Sequence, residues 1–177
     1  MIFLVDEIKN ATEQVPLNHL SLSFVIVYAI ILRMIVTIDT NVLLAGLISQ
    51  SGASHQILKL VIKEKITLAL STQVLLEYDD VLKRKEILRL TRLELGEIED
   101  ILDLLALLAQ KHNIYYRLRP NLRDENDNLF IECAFASNSE YLLTSNISDI
   151  NSGELKGFKF KAVTPKYFYQ MWRKEYE

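Results

Sequence analysis

The chain has 177 residues, half of them hydrophobic and 24% charged, and its 20 basic and 23 acidic side chains leave a net charge of −3. That length and balance describe one folded domain with a proper core and exclude a disordered chain. The slight negative charge also excludes a global electrostatic grip on nucleic acid, so any RNA or DNA must be met by a local basic surface.

Residues 1–33 differ from the rest. Leu20–Leu32 is an uncharged, mostly apolar run, shorter than the ~20 residues a membrane-spanning helix needs. Asp6, Glu7 and Glu13 stand against one lysine ahead of it, the wrong charge for a signal peptide. This segment is expected to be an N-terminal extension, either an extra helix or the product of a start codon upstream of Met34. A partner- or membrane-associating segment is the next reading, and no stable membrane anchor is expected. Residues 34–177 form the expected domain.

Met34–Ile38 is short, β-branched and almost wholly apolar, as a central strand covered on both faces should be, and it ends in Asp39-Thr40-Asn41. Ser54 is the expected N-cap of a helix carrying Ile57, Leu60 and Val61. Ile66–Leu70 reads as a second strand, after which Ser71 or Thr72 caps a helix with Val74, Leu75, Tyr78, Val81 and Leu82 at helical spacing. Leu93–Gln110 is the longest helical segment, with Ile98, Ile101, Leu102, Leu105 and Leu108 on one face. A brief strand is expected at Ile114–Tyr116, then the polar stretch Asn121–Asn126, and then a helix that Asp127 opens. Tyr141–Thr144 is the next strand, 145–153 a polar connection, and Phe160–Val163 the last strand. Thr164-Pro165 starts a terminal helix, because proline suits the first helical turn. Strands alternating with helices imply an α/β sandwich with a mainly parallel sheet, whose ligand crevice lies beyond the carboxyl ends of the strands.

Acidic and amide side chains recur at those ends and at helix starts: Asp39, Glu77, Asp124, Asp127, Asn146 and Asp149. Taken singly, each has a local explanation. Asp39 and Asn41 shape turns, Glu77 lies on a solvated helix face or complements the helix dipole, Asp124 and Asp127 cap a helix, and Asn146 and Asp149 occupy a loop. Taken together, they suggest carboxylates that converge on a hard cation, and such a cation points to phosphate chemistry. Basic residues cluster at Lys83, Arg84, Lys85, Arg89 and Arg92, and again at Arg117, Arg119 and Arg123. They read equally as a solvated face and as contacts to a phosphate backbone. The aromatic C-terminus, from Phe158 to Trp172, is expected to dock onto the core. The single cysteine, Cys133, excludes an intrachain disulfide, suits a reducing, cytoplasmic setting and reads as a core thiol. His19, His55 and His112 lack zinc-site spacing.

The segments VTIDTNVLLAGL (36–47), STQVLLEYDDVL (71–82), RDENDNLFIECAFASNSEYLLTSN (123–146) and KAVTPKYF (161–168) resemble a PIN domain, with the match running from Met34 to the end. Within that superfamily they are most similar to the VapC-like ribonuclease toxins of bacterial type II toxin–antitoxin pairs. The resemblance implies a three-layer α/β/α sandwich and an endoribonuclease dependent on Mg²⁺ or Mn²⁺. Its catalytic acids would be Asp39, Glu77 and Asp127, its metal ligands those three with Asp124, Asn146 and Asp149, and its substrate contacts Thr144, Ser145, Arg119 and Arg123. Asn146 departs from the acid that the family often places there. The implied partners are RNA, a cognate antitoxin and a second copy of the chain. The chemistry is metal-activated water attacking phosphorus in line, with no covalent intermediate. Two other readings stand beside it. One is a catalytically impaired module that binds RNA or antitoxin. The other is a haloacid-dehalogenase-type phosphatase, disfavoured because Asn41 replaces the acid wanted two residues after Asp39.

Overall fold

A computed structural model of the protein describes residues 33–119, 122, 127–153 and 157–176. The extension with Leu20–Leu32, and Arg123 and Asp124, lie outside the described residues. The chain divides after Arg33, and the fold below is that of the unit Met34–Glu177.

Five parallel strands make one sheet: β1 (Ile35–Ile38), β2 (Thr67–Leu70), β3 (Gln110–Lys111), β4 (Tyr141–Leu143) and β5 (Lys161–Val163), in the order β3-β2-β1-β4-β5. Parallel neighbours need crossovers, and the intervening segments supply them as helices. Between β1 and β2 lie α1 (Thr40–Ile48) and α2 (Ala53–Ile62); between β2 and β3 lie α3 (Thr72–Leu82), α4 (Lys85–Thr91) and α5 (Leu95–Leu108). The helix α6 (Asn128–Ala136) precedes β4, α7 (Ile147–Ser152) precedes β5, and α8 (Pro165–Tyr176) closes the fold. The result is the three-layer α/β/α sandwich.

The strand order matters more than the strand count. From β1 the chain steps outward to β2 and β3, then returns past β1 to add β4 and β5. Right-handed crossovers place the helices of the outward and return journeys on opposite faces of the sheet. The reversal leaves a crevice between the carboxyl ends of β1 and β4, where an open α/β sheet accommodates a ligand.

Local chemistry explains most element ends. Ser71 caps α3 by accepting from Val74 N at 3.2 Å. Thr164 Oγ1 accepts from Tyr167 N at 3.2 Å at the start of α8, with Pro165 at its first position. Glu94 and Glu97 form a reciprocal capping box on α5. The aromatic C-terminus docks as expected: Phe168 and Trp172 are buried and Phe168 meets Tyr141 edge to face at 5.4 Å.

Several elements differ from the sequence reading. The third strand is Gln110–Lys111 rather than Ile114–Tyr116, because the ladder is made by Leu70 and Lys111 and closed by His112 N donating to Leu70 O. Gly52, not Ser54, is the N-cap of α2, and Ser54 is buried inside the first turn. The helix α1 has no sequence period to betray it, since TNVLLAGLI is apolar almost all round. It lies so close to α2 that a Cβ on Gly46 would stand 3.1 Å from the carbonyl oxygen of Ser54. The polar connection after β4 contains the short helix α7. No helix among the described residues is long and apolar enough to cross a membrane.

Candidate active site

The register of β1 and β4 pairs Ile38 with Leu143, so the next residues, Asp39 and Thr144, end adjacent strands side by side. Asp39 N donates to Leu143 O at 2.9 Å, and Asp39 O accepts from Val42 and Leu43 at the start of α1. The carboxylate is only 6% exposed and both its oxygens are engaged. Oδ1 accepts from Asn41 N at 3.1 Å, which is the local turn-shaping role. Oδ2 accepts from Thr144 Oγ1 at 2.6 Å, a short charge-assisted bond that the turn alone does not require. Beside it, Thr40 Oγ1 is buried with no hydrogen-bond partner among the described residues.

Thr144 passes the connection onward. It is 1% exposed, and its hydroxyl accepts from Asn146 N at 3.0 Å while donating to Asp39. Asn146 Nδ2 in turn donates to Asp149 Oδ2, and Ser148 Oγ reaches Asn146 Oδ1 at 3.4 Å. Asn146 is the N-cap of α7 and Asp149 lies in its first turn, so a hydrogen-bonded chain runs from Asp39 through Thr144 and Asn146 to Asp149. Ser145 stands exposed at its lip.

Glu77 is half-buried on α3, next to the fully buried Tyr78. The Tyr78 hydroxyl donates to Ile38 O, the carbonyl immediately before Asp39, and its ring stacks on Phe130 of α6 at 6.4 Å. Burial, then the nearby Cys133 and Asp39, hold the Tyr78 phenol well above its ordinary pKa, so it is a donor at neutral pH. Tyr78→Phe strands a buried carbonyl and should cost ~1–3 kcal/mol in chemical unfolding, with the loss showing as a lower midpoint at unchanged slope.

Asp127 is half-buried at the N-cap of α6, with helical backbone angles and no side-chain capping bond. Helices that precede a parallel strand start at the carboxyl edge of the sheet, so Asp127 belongs to the same edge as Asp39. Two residues on this helix escaped the sequence reading. Asn128 is fully buried and Oδ1 accepts from Leu122 N at 3.2 Å; Glu132 is 3% exposed and Oε1 accepts from Leu118 N at 2.9 Å. Arg119 Nε stands 3.3 Å from the same Glu132 oxygen, so this arginine is held by an internal acid. In the run NLFIECAFA the glutamate reads as a solvent-facing position; its partners, 13 and 14 residues earlier, leave no periodic signal.

Two members of the basic cluster after α3, Lys83 and Arg84, are ion-paired on the surface. Lys83 Nζ lies 2.7 Å from Asp79 and 3.1 Å from Glu99, and Arg84 lies 2.6 Å from Asp80. Cys133 is fully buried; burial pushes its thiol up to about 11, with Ser71 and Thr37 hydrogen bonds lowering it. It is no nucleophile. Below the unfolded thiol's pKa both states hold the proton. As pH rises from there through about 11, only the unfolded chain ionises and stability falls. Cys133→Ala should flatten that alkaline decline by up to ~2–3 kcal/mol, read from unfolding curves at pH ~8 and ~11.

The structure thus links Asp39, Thr144, Asn146 and Asp149 in one hydrogen-bonded chain; Glu77 lies on α3, whose Tyr78 reaches the end of β1, and Asp127 precedes α6, which packs on β1. Among the described residues, no three His, Cys, Asp or Glu side chains come close enough together to hold a metal ion. A cavity of about 760 Å³ lies elsewhere, walled by His112, Tyr115, Phe135 and Lys159, and none of these acids lines it.

Residues 35–148 match the PIN domain family, a span that holds Asp39, Glu77, Asp127 and Asn146. The chain belongs to the PIN domain family. Asp149 lies one residue beyond the match. Among solved structures, the PIN chain is similar to one chain of VapBC2 from Rickettsia felis bound to a DNA fragment from their promoter. The TM-score is 0.50 and the identity 21%, over 74% of this chain and 98% of that one. At that identity the likeness is one of fold. No curated protein matches the sequence.

Proposed function

We propose that this PIN protein is a metal-dependent endoribonuclease, the toxin of a toxin–antitoxin pair, with Asp39 as its central acid. The observation that carries the reading is a carboxylate 6% exposed, set at the crevice between β1 and β4, and gripped by the hydroxyl of Thr144. Keeping an anion buried is costly, and a fold that does so at its ligand crevice has a use for the charge.

The donor set is all oxygen, which suits Mg²⁺ or Mn²⁺. Asp39 would be the first ligand, joined by Glu77, Asp127, Asp124, Asn146 and Asp149. A divalent cation bound there supplies relief of carboxylate repulsion and an acidified water. The chain's own residues do the positioning. Thr144 fixes the rotamer of Asp39, Asn146 ties Asp149 to the same loop, and Tyr78 braces the end of β1. Thr144 is committed to Asp39, so the exposed Ser145, with Arg119 and Arg123, is assigned to the RNA backbone.

The antitoxin and a second copy of the chain are the proposed partners. The similarity to a chain of a complex named for both components supports the first. A catalytically impaired binding module is the second reading, favoured by the Asn146 amide spent on Asp149 and by the lack of a three-acid group among the described residues. Purified protein incubated with single-stranded RNA separates the two. Cleavage that requires Mn²⁺ and stops with chelator is expected; RNA binding without cleavage under any divalent ion would establish the binding module instead.

A further inference from the structure

After His112 N has closed the ladder on Leu70 O, residues 113–119 have no regular secondary structure, and Leu118 N finds its partner on a side chain. One face of α6 provides such partners. Asn128 and Glu132 are one helical turn apart, and each catches a backbone N–H of the incoming strand of chain: Leu122 N on Asn128 Oδ1, Leu118 N on Glu132 Oε1. The donors share the four-residue spacing of the acceptors. Arg119 adds an ionic contact to Glu132. A carboxylate only 3% exposed is tolerable because these groups satisfy it, and replacing it by an apolar residue would leave Leu118 N without its acceptor.

We propose that Glu132 is a positioning residue for Asp127. Through Leu118 and Arg119, and in concert with Asn128 on Leu122, it fixes where the chain meets α6 and therefore where Asp127 is presented to the β1–β4 crevice. This rests on the nuclease reading for its consequence, while the clamp itself is a matter of hydrogen bonds already described. It also gives Arg119 a second task, since the arm that holds Glu132 is the one assigned to substrate.

The test compares wild type, Glu132→Gln and Glu132→Ala below their unfolding temperatures. Amide exchange reads the clamp, Mn²⁺ titration reads the acids, and single-stranded RNA cleavage reads the outcome. Glu132→Ala is expected to speed exchange at Leu118 at least tenfold, to weaken Mn²⁺ binding, and to lower kcat about tenfold or more. Glu132→Gln keeps an acceptor oxygen and should restore most of the Leu118 protection and Mn²⁺ affinity. A folded Glu132→Ala protein with wild-type Leu118 exchange, or with altered exchange but unchanged Mn²⁺ affinity and kcat, overturns the proposal. A wild-type protein that neither binds Mn²⁺ nor cleaves would instead sink the nuclease reading, and the exchange data would still decide whether the clamp exists.

Discussion

Asp39→Asn should remove RNA cleavage while leaving the protein folded. The loss is expected to exceed about a hundredfold, because even groups one step removed from a metal cost 10- to 100-fold when changed. The fold should survive for a reason visible in the site. Asparagine keeps an acceptor oxygen for Asn41 N, the bond that starts α1, and its amide nitrogen meets the Thr144 hydroxyl, which can turn to accept. The stability change should stay near ~1 kcal/mol, the scale of one exchanged hydrogen bond. Chemical unfolding and a Mn²⁺-dependent cleavage assay check the two halves. A variant that cuts at the wild-type rate would remove Asp39 from the chemistry.

Thr144→Val is the complementary experiment. Valine matches threonine in shape but not in polarity, and the hydroxyl it deletes serves two groups at once: Asp39 Oδ2 and Asn146 N. Both are left without that partner in a site where Thr144 itself is 1% exposed. Stranding a buried carboxylate oxygen and a backbone donor should cost ~2–6 kcal/mol in unfolding, the sum of two such losses. Activity should fall ~10- to 100-fold, because Asp39 is no longer held in one rotamer and the loop carrying Asn146 and Asp149 is no longer tied to it. Thr144→Ser, which retains the hydroxyl, should recover most of both. Equal stability for the valine and serine variants would show that the contact contributes nothing.

Much of this arrangement was legible in the chain. The run MIVTI ending in Asp39, the Ser71-or-Thr72 cap and the Thr164-Pro165 start each carry a local physical signal; the structure places the strand at Ile35–Ile38, makes Ser71 the cap and starts α8 at Pro165. The family came from the resemblance of four segments, VTIDTNVLLAGL (36–47) among them, to PIN domains. What escaped had no local signal to give. The helix α1 is apolar on nearly every side, so neither a helical nor a strand period stands out. The strand β3 is two exposed residues whose assignment depends on β2 being beside them. Glu132 looks like an ordinary outward glutamate until Leu118 and Arg119 are brought over it. The bond between Thr144 and Asp39 needs the register of two strands far apart in sequence. The bland readings were also partly right: Asp39 does shape its turn through Asn41, and the lysine and arginine after α3 are paired with acids on the surface. Asp127 is the opposite case, an acid at a helix start that does no capping.

The outward-and-back order of the strands has a consequence for biogenesis. Asp39 emerges early from the ribosome, but the hydroxyl that holds it is encoded 105 residues later. Long-range pairings of this kind form late, after the costly closure of the intervening loop. A nascent polypeptide cut short before β4 contains the central acid without its brace, so competence arrives only once translation has passed Thr144. For a protein proposed to destroy RNA, that timing keeps half-made copies harmless.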